Sequence, residues 1–202
     1  MLNSRLTTFS ALASAFLLTV AFTPAPVLNA TEWAIDASHS KIGFEIRHFF
    51  TPVNGSFDAY DATVYFNTDD LENSSIDVTI DVKSINTANE RRDGHLLSED
   101  FFNTEEWGAI TFVSSEIKSA GGNDFVAVGE LTIRDVTKQI ELPFTLLGVM
   151  DHPFREGFKV AGITSDLKLN RNDYGVGTGD WAATVVVGDE VTIDLNLELN
   201  TK

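Results

Sequence analysis

Eight stretches of this chain alternate apolar and polar side chains, with turn residues between them. A period of two puts every apolar side chain of a strand on one face, so each stretch must find a cover for that face. The first, Lys41 to His48, sets Ile42, Phe44, Ile46 and His48 against Lys41, Gly43, Glu45 and Arg47. Ser56 to Asn67, Ser75 to Ile85, Ala109 to Lys118, Asp124 to Ile133, Gln139 to Gly148, Phe158 to Asn170 and Val191 to Leu199 follow. The spacing predicts an all-β fold, an antiparallel up-and-down barrel or a strongly curved sandwich, because either hides the apolar faces and closure also removes the edges. Gly121-Gly122-Asn123 predicts a hairpin. Pro143 cannot donate a ladder bond, which predicts a bulge or a seam in the sheet there.

The alternation fails once, between Ser84 and Phe112. Thr87 with Glu90 three residues on reads as a capping box, starting a helix from Ala88 to about Leu97. Ser98 then caps a second short turn through Phe102. Arg92, His95 and Leu96 lie three or four apart and share a helix face. An insert between the third and fourth strands of a barrel sits across one open end. Only Asn172 to Trp181, with three glycines, reads as a mobile loop.

The N-terminus belongs to neither pattern. Arg5 precedes an apolar run from Ala11 to Phe22, then Pro24, Pro26 and the small Ala30, which reads as a secretory signal peptide over residues 1–30 with cleavage after Ala30. About twelve apolar residues are well short of the roughly twenty that span a bilayer. Residues 31–202 then form one exported domain, with no integral membrane segment left. The chain has no cysteine, which excludes a disulfide or a lipid-modified cysteine anchor. Thirty acidic against fourteen basic side chains give a net charge of −16. Such a surface repels nucleic acid.

The residues that carry chemistry are few. His48 lies on an apolar strand face, so inside a barrel its ring needs a partner, either a neighbouring side chain or a ligand headgroup. His39, His48, His95 and His152 form no close pair and no HExxH, and GxSxG is absent, so neither a metal centre nor a nucleophile is indicated. Arg91-Arg92-Asp93-Gly94-His95 is the densest cluster. It is either a surface ion-pair set or a polar rim donating to a phosphate or carbonyl oxygen. Arg171, at the end of the seventh strand, supplies a second cation. Fifteen phenylalanines fill a core or line a cavity, and an eight-stranded barrel is just wide enough for one small ligand. Strands of about ten residues at roughly 3.3 Å, tilted near 40°, make a barrel about 25 Å tall. One leaflet of hydrocarbon is about 15 Å thick, so an extended tail fits lengthwise.

Together Trp33-Ala34-Ile35-Asp36, His39-Ser40-Lys41-Ile42-Gly43-Phe44, His48, Ser84-Ile85-Asn86-Thr87, Arg92-Asp93-Gly94-His95-Leu96, Phe101-Phe102 and Ile110-Thr111-Phe112 resemble the YceI family. Gly129 to Ile133, Val136-Thr137-Lys138, Arg171 to Gly175 and Val187 to Val191 extend the likeness over nearly the whole domain. The resemblance implies an eight-stranded lipocalin-like barrel with a helical insert, exported to the periplasm. It also implies a bound polyisoprenoid, quinone or other long amphiphile, no catalytic cofactor or metal, and in many members a homodimer. The expected ligand-binding residues are Phe44, Ile46, His48, Ile80, Arg92, Asp93, His95, Phe101, Phe102, Phe112 and Arg171, with Asp93 orienting an arginine or histidine. The reading is a carrier or storage protein without catalysis. Its rivals are an enzyme acting on such a lipid, and a stress protein with a filled barrel.

Overall fold

The structure, a computed structural model, describes residues 30–201, so the expected signal peptide lies outside the described residues up to position 29. Eleven strands appear in chain order: β1 (Thr31–Ile35), β2 (Lys41–His48), β3 (Thr51–Phe57), β4 (Tyr60–Phe66), β5 (Ser75–Asp81), β6 (Ile85–Asn86), β7 (Ala109–Gly121), β8 (Asp124–Ile133), β9 (Val136–Asp151), β10 (Lys159–Asn170) and β11 (Val187–Thr201). Among the described residues one α-helix, α1 (Glu90–Leu97), lies between β6 and β7. The antiparallel order β1-β4-β5-β7-β8-β9-β10-β11 returns to β1 through Trp33↔Thr201, a closed barrel of eight strands.

The remaining strands extend this ring at one end. The lower half of β11 pairs with β1 and its upper half with β2, while β2 pairs in turn with β3 and β3 with β6. The alternation of Ser56 to Asn67 therefore spans the end of one strand and the whole of another. Asp58 makes the break: its carboxylate accepts from Ser56 Oγ (2.8 Å) and Asn86 Nδ2 (2.9 Å), while its N–H donates to Ser84 O (3.1 Å). The expected third strand stops early too, because the Asp81 carboxylate accepts from Lys83 N and starts a 3-10 turn at Val82–Ser84.

Other expectations meet specific outcomes. Gly121 pairs with Asp124, leaving Gly122-Asn123 as a two-residue hairpin turn. Pro143 marks a seam: β9 and β10 pair only as far as Thr145↔Thr164, and beyond it Ser165 Oγ donates to Pro143 O (2.5 Å). The capping box does not form. Ala88 takes a left-handed φ of 58°, which turns Thr87 out of the helix path, and Asn89 caps α1 by accepting from Arg92 N (3.0 Å). Ser98 ends α1, donating to His95 O (2.7 Å), and its carbonyl accepts from Phe101 N (3.0 Å) and Asn103 N (2.8 Å), which forms the short turn expected through Phe102.

The two ends of the barrel are built differently. At the β1 end Phe66 meets Phe125 (5.1 Å) and Phe144 (5.6 Å) edge-on, Phe125 stacks on Phe144, and buried Trp33 donates to Phe66 O (3.0 Å). That aromatic plug closes the barrel, worth ~0.5–1.5 kcal/mol per ring pair beyond the area it buries. At the other end α1, the 98–104 turns and the 171–187 segment arch over the interior.

Candidate functional site

Beneath α1 lies a cavity of about 530 Å³, within the 300–1,000 Å³ range typical of ligand pockets. Phe44, Ile46, Phe57, Phe101, Phe102 and Trp181 supply much of its wall, and exposed His48 and Arg91 mark its opening. A second cavity of about 160 Å³ runs on towards the plug, walled by aliphatic and aromatic side chains such as Ile80, Phe112, Ile140 and Leu142. Phe57, Ile110, Ile133, Leu169 and Ile193 line both, so the two are neighbouring chambers of one interior that meet at a waist formed by these five side chains.

Polar chemistry is confined to the helix end. Arg92 donates from Nε to Thr87 Oγ1 (2.7 Å) and from Nη2 to Thr87 O (2.6 Å), and Thr87 in turn donates from N and Oγ1 to Asp93 Oδ1. Asp93 thus positions Arg92 through Thr87 instead of touching it, and Asp93 itself does not line the cavity. Gly55 makes room for this arrangement, since a Cβ there would stand 2.3 Å from the Phe44 ring and 2.9 Å from Thr87 Cγ2. His95 Nε2 lies 2.9 Å from Asp100 Oδ2, its ring edge-on to Phe101 (5.1 Å) and Trp181 (4.9 Å).

Arg171 is buried, 5% exposed, and grips its own loop. It donates to the carbonyls of Gly188 (2.7 Å), Val176 (2.7 Å), Trp181 (2.7 Å) and Val187 (3.1 Å). Burial lowers its pKa and Asp189 raises it, but a guanidinium remains charged. Its role at the cavity is therefore positive potential and a fixed wall. The loop from Asn172 to Trp181, expected to be mobile, wraps this guanidinium, with Tyr174 and Val176 buried. Gly177, at φ 91°, is required, because a Cβ would stand 2.1 Å from Arg171 Nη1. Burial also pushes the Tyr174 phenol up.

Of the expected ligand-binding residues, Phe44, Ile46, His48, Arg92, His95, Phe101, Phe102 and Arg171 line the large cavity, and Ile80 and Phe112 line the small one. His48 is not the interior histidine its alternation suggested. As the last residue of β2 it stands at the rim, exposed, with its ring centroid 4.7 Å from that of Phe49 and the two rings edge-to-face. Trp181, Tyr174, Val176 and Thr87 were not anticipated; an aromatic pair within a glycine-rich stretch after a buried arginine was the available signal. Arg134, also missed, ties the arch together by donating to Phe101 O (2.8 Å) and Gly175 O, under the face of Trp107 (4.6 Å).

One grouping among the described residues has metal-ligand spacing: Asp36, His39 and Glu198, on the outer wall where β1 gives way to β2. His39 Nδ1 lies 3.0 Å from Asp36 Oδ2 and 3.7 Å from Glu198 Oε1. The hydrogen bond between them lowers the Asp36 pKa and raises that of His39. It is an exposed ion pair, away from both chambers.

Known proteins resemble this chain in sequence and fold. A UPF0312 protein of Staphylococcus aureus strain MRSA252 is 35% identical over 173 residues, covering 84% of this chain and 98% of that protein. Burkholderia cenocepacia BcnA superposes with a TM-score of 0.73 at 29% identity, over 81% of this chain and 98% of that one. A polyisoprenoid binding domain from Saccharophagus degradans has the same fold, with a TM-score of 0.60 at 16% identity over 85% of this chain and 99% of that one. With the YceI-like domain model matching residues 33–199, and a closed eight-stranded barrel roofed by one helix, this chain belongs to the YceI-like family.

Proposed function

We propose that this protein binds one long-chain polyisoprenoid or similar amphiphile along its barrel and carries or stores it in the periplasm without a catalytic step. The observation that carries this reading is the shared waist: two apolar chambers meet at Phe57, Ile110, Ile133, Leu169 and Ile193, with cationic groups at one end only. That polarity matches a molecule with one tail and one head. The tail threads the waist towards the aromatic plug, and Arg92 and His95 face the headgroup, with Arg171 adding potential.

Burying a CH₂ group is worth ~0.8 kcal/mol in the barrel and nearly the same in a bilayer, so exchange between them is close to thermoneutral. That suits a carrier. The polyisoprenoid-binding description of the Saccharophagus degradans domain supports the ligand class. Export rests on the N-terminal segment, and sequencing the N-terminus of the mature protein checks cleavage after Ala30.

Native mass spectrometry of protein purified from its own host, followed by organic extraction, tests the function. The expected result is a stoichiometric long-chain lipid. Reproducible absence of lipid would refute the reading. The rival enzyme needs a poised acid or base, and His48→Ala and His95→Ala would abolish its turnover.

A further inference from the structure

The β2–β3 turn holds two aromatic side chains out into water. Phe50 is 97% exposed, Phe49 is half-exposed, and neighbouring Val185 is 76% exposed. These side chains are held on an anchored turn. Phe49 sits at a left-handed φ of 50°, its N–H donates to Val186 O (2.8 Å), and Arg47 donates to Phe49 O and to Thr184 O (2.7 Å). Folding has thus ordered an apolar tip whose burial is worth ~1.5–3 kcal/mol per phenylalanine and is not realised within the chain. Exposed apolar patches with polar rims mark interaction surfaces.

Position and charge say which surface. The tip is the lip of the large cavity: His48 and Val53 beside it, and Val187 after the strap that holds it, line that cavity. In a chain with thirty acidic residues, neither 46–53 nor 181–188 contains one, while Arg47 lies on the lip and Arg91 across the opening. Glu45, Asp180 and Asp189 flank these two segments, but the lip itself is basic and aromatic, so on an acidic body it is the part that favours contact with an anionic surface. Phe154, 91% exposed at the other end, sits among Asp151, Arg155 and Glu156 and borders neither chamber.

We propose that the Phe49-Phe50 lip is a membrane-docking wedge that seats in the headgroup layer of a phospholipid bilayer and turns the cavity opening towards the acyl chains. This rests on the carrier reading and supplies its route of loading. A tail would pass from leaflet to barrel across the lip without crossing water.

Because the chain has no cysteine, single labels can be placed at will. Phe50→Cys and Phe154→Cys, each carrying a polarity-sensitive fluorophore, are mixed with phosphatidylethanolamine–phosphatidylglycerol vesicles. Emission at position 50 should shift to the blue and be quenched by brominated acyl chains, with no change at position 154. In flotation, Phe49→Ser/Phe50→Ser should lose at least tenfold in vesicle binding while Phe154→Ser retains it, with circular dichroism confirming that both fold. Ile133→Trp, which narrows the waist, should weaken binding of long-tailed lipid and still dock, separating failure of docking from failure of the carrier reading. Equal responses at positions 50 and 154, no response at position 50, or a change only in oligomeric state would overturn the wedge.

Discussion

The two ends of this barrel are made from the same kinds of residue and do opposite things. At the β1 end Phe66, Phe125 and Phe144 pack on one another, and buried Trp33 donates to the Phe66 carbonyl. At the α1 end Phe44, Phe101, Phe102 and Trp181 line about 530 Å³ of space, and the arginines are held by backbone carbonyls and a threonine. The difference lies in how each end is closed. Strand pairing brings the three phenylalanine rings of the plug into mutual contact, whereas a helix and loops cannot follow the barrel wall and leave a chamber under the arch. Substitutions at the plug should therefore cost stability, and those at the arch should change binding or its polarity.

The largest effect should come from the plug. Phe125→Ala removes a buried ring from two aromatic contacts and should cost ~3–5 kcal/mol in denaturant unfolding, yet leave ligand binding to the remaining folded protein unchanged. Unchanged stability would mean that the plug is not what closes this end. Arg171→Lys comes next. One ammonium cannot serve four carbonyls fanned around a guanidinium, so the loss should be ~2–3 kcal/mol, together with faster proteolysis between Asn172 and Trp181. Thr87→Val removes the hydroxyl that joins Asp93 to Arg92 Nε, leaving the backbone bonds of residue 87, and should cost ~1–2 kcal/mol. Its clearer mark should be reduced discrimination between lipids with anionic and neutral headgroups, with tail affinity unaltered.

The smallest effect lies outside both ends. Hydrogen bonding to Asp36 raises the His39 pKa above its ordinary 6.5, and His39 lowers that of Asp36 below 3.8. The contribution of His39 to stability is fully present below 6.5 and is lost as pH rises through its raised folded value. The contribution of Asp36 is present above 3.8 and is lost as pH falls through its depressed value. In an NMR titration Asp36→Asn should return His39 towards 6.5 without touching ligand binding.

Much of this was legible in the residues because strand alternation specifies a face. Phe44, Ile46, Ile80 and Phe112 all point inwards as the period of two requires. Alternation does not specify height along the barrel, which is why Ile80 and Phe112 fall in the small chamber and His48 at the rim. The capping box failed on a single torsion at Ala88, whose methyl group gives no sign of a left-handed backbone. The glycine-rich 172–181 segment looked free for the same kind of reason: Gly177 is there to clear the Arg171 guanidinium, a tertiary contact that composition does not reveal.

The account stands on continuity between the chambers, and affinity across a tail-length series of one amphiphile tests that most directly. Each added CH₂ should tighten binding about fourfold until both chambers are filled, and Ile133→Trp at the waist should bring the plateau to a shorter tail. Affinity independent of tail length, or a plateau unmoved by the waist substitution, would contradict it.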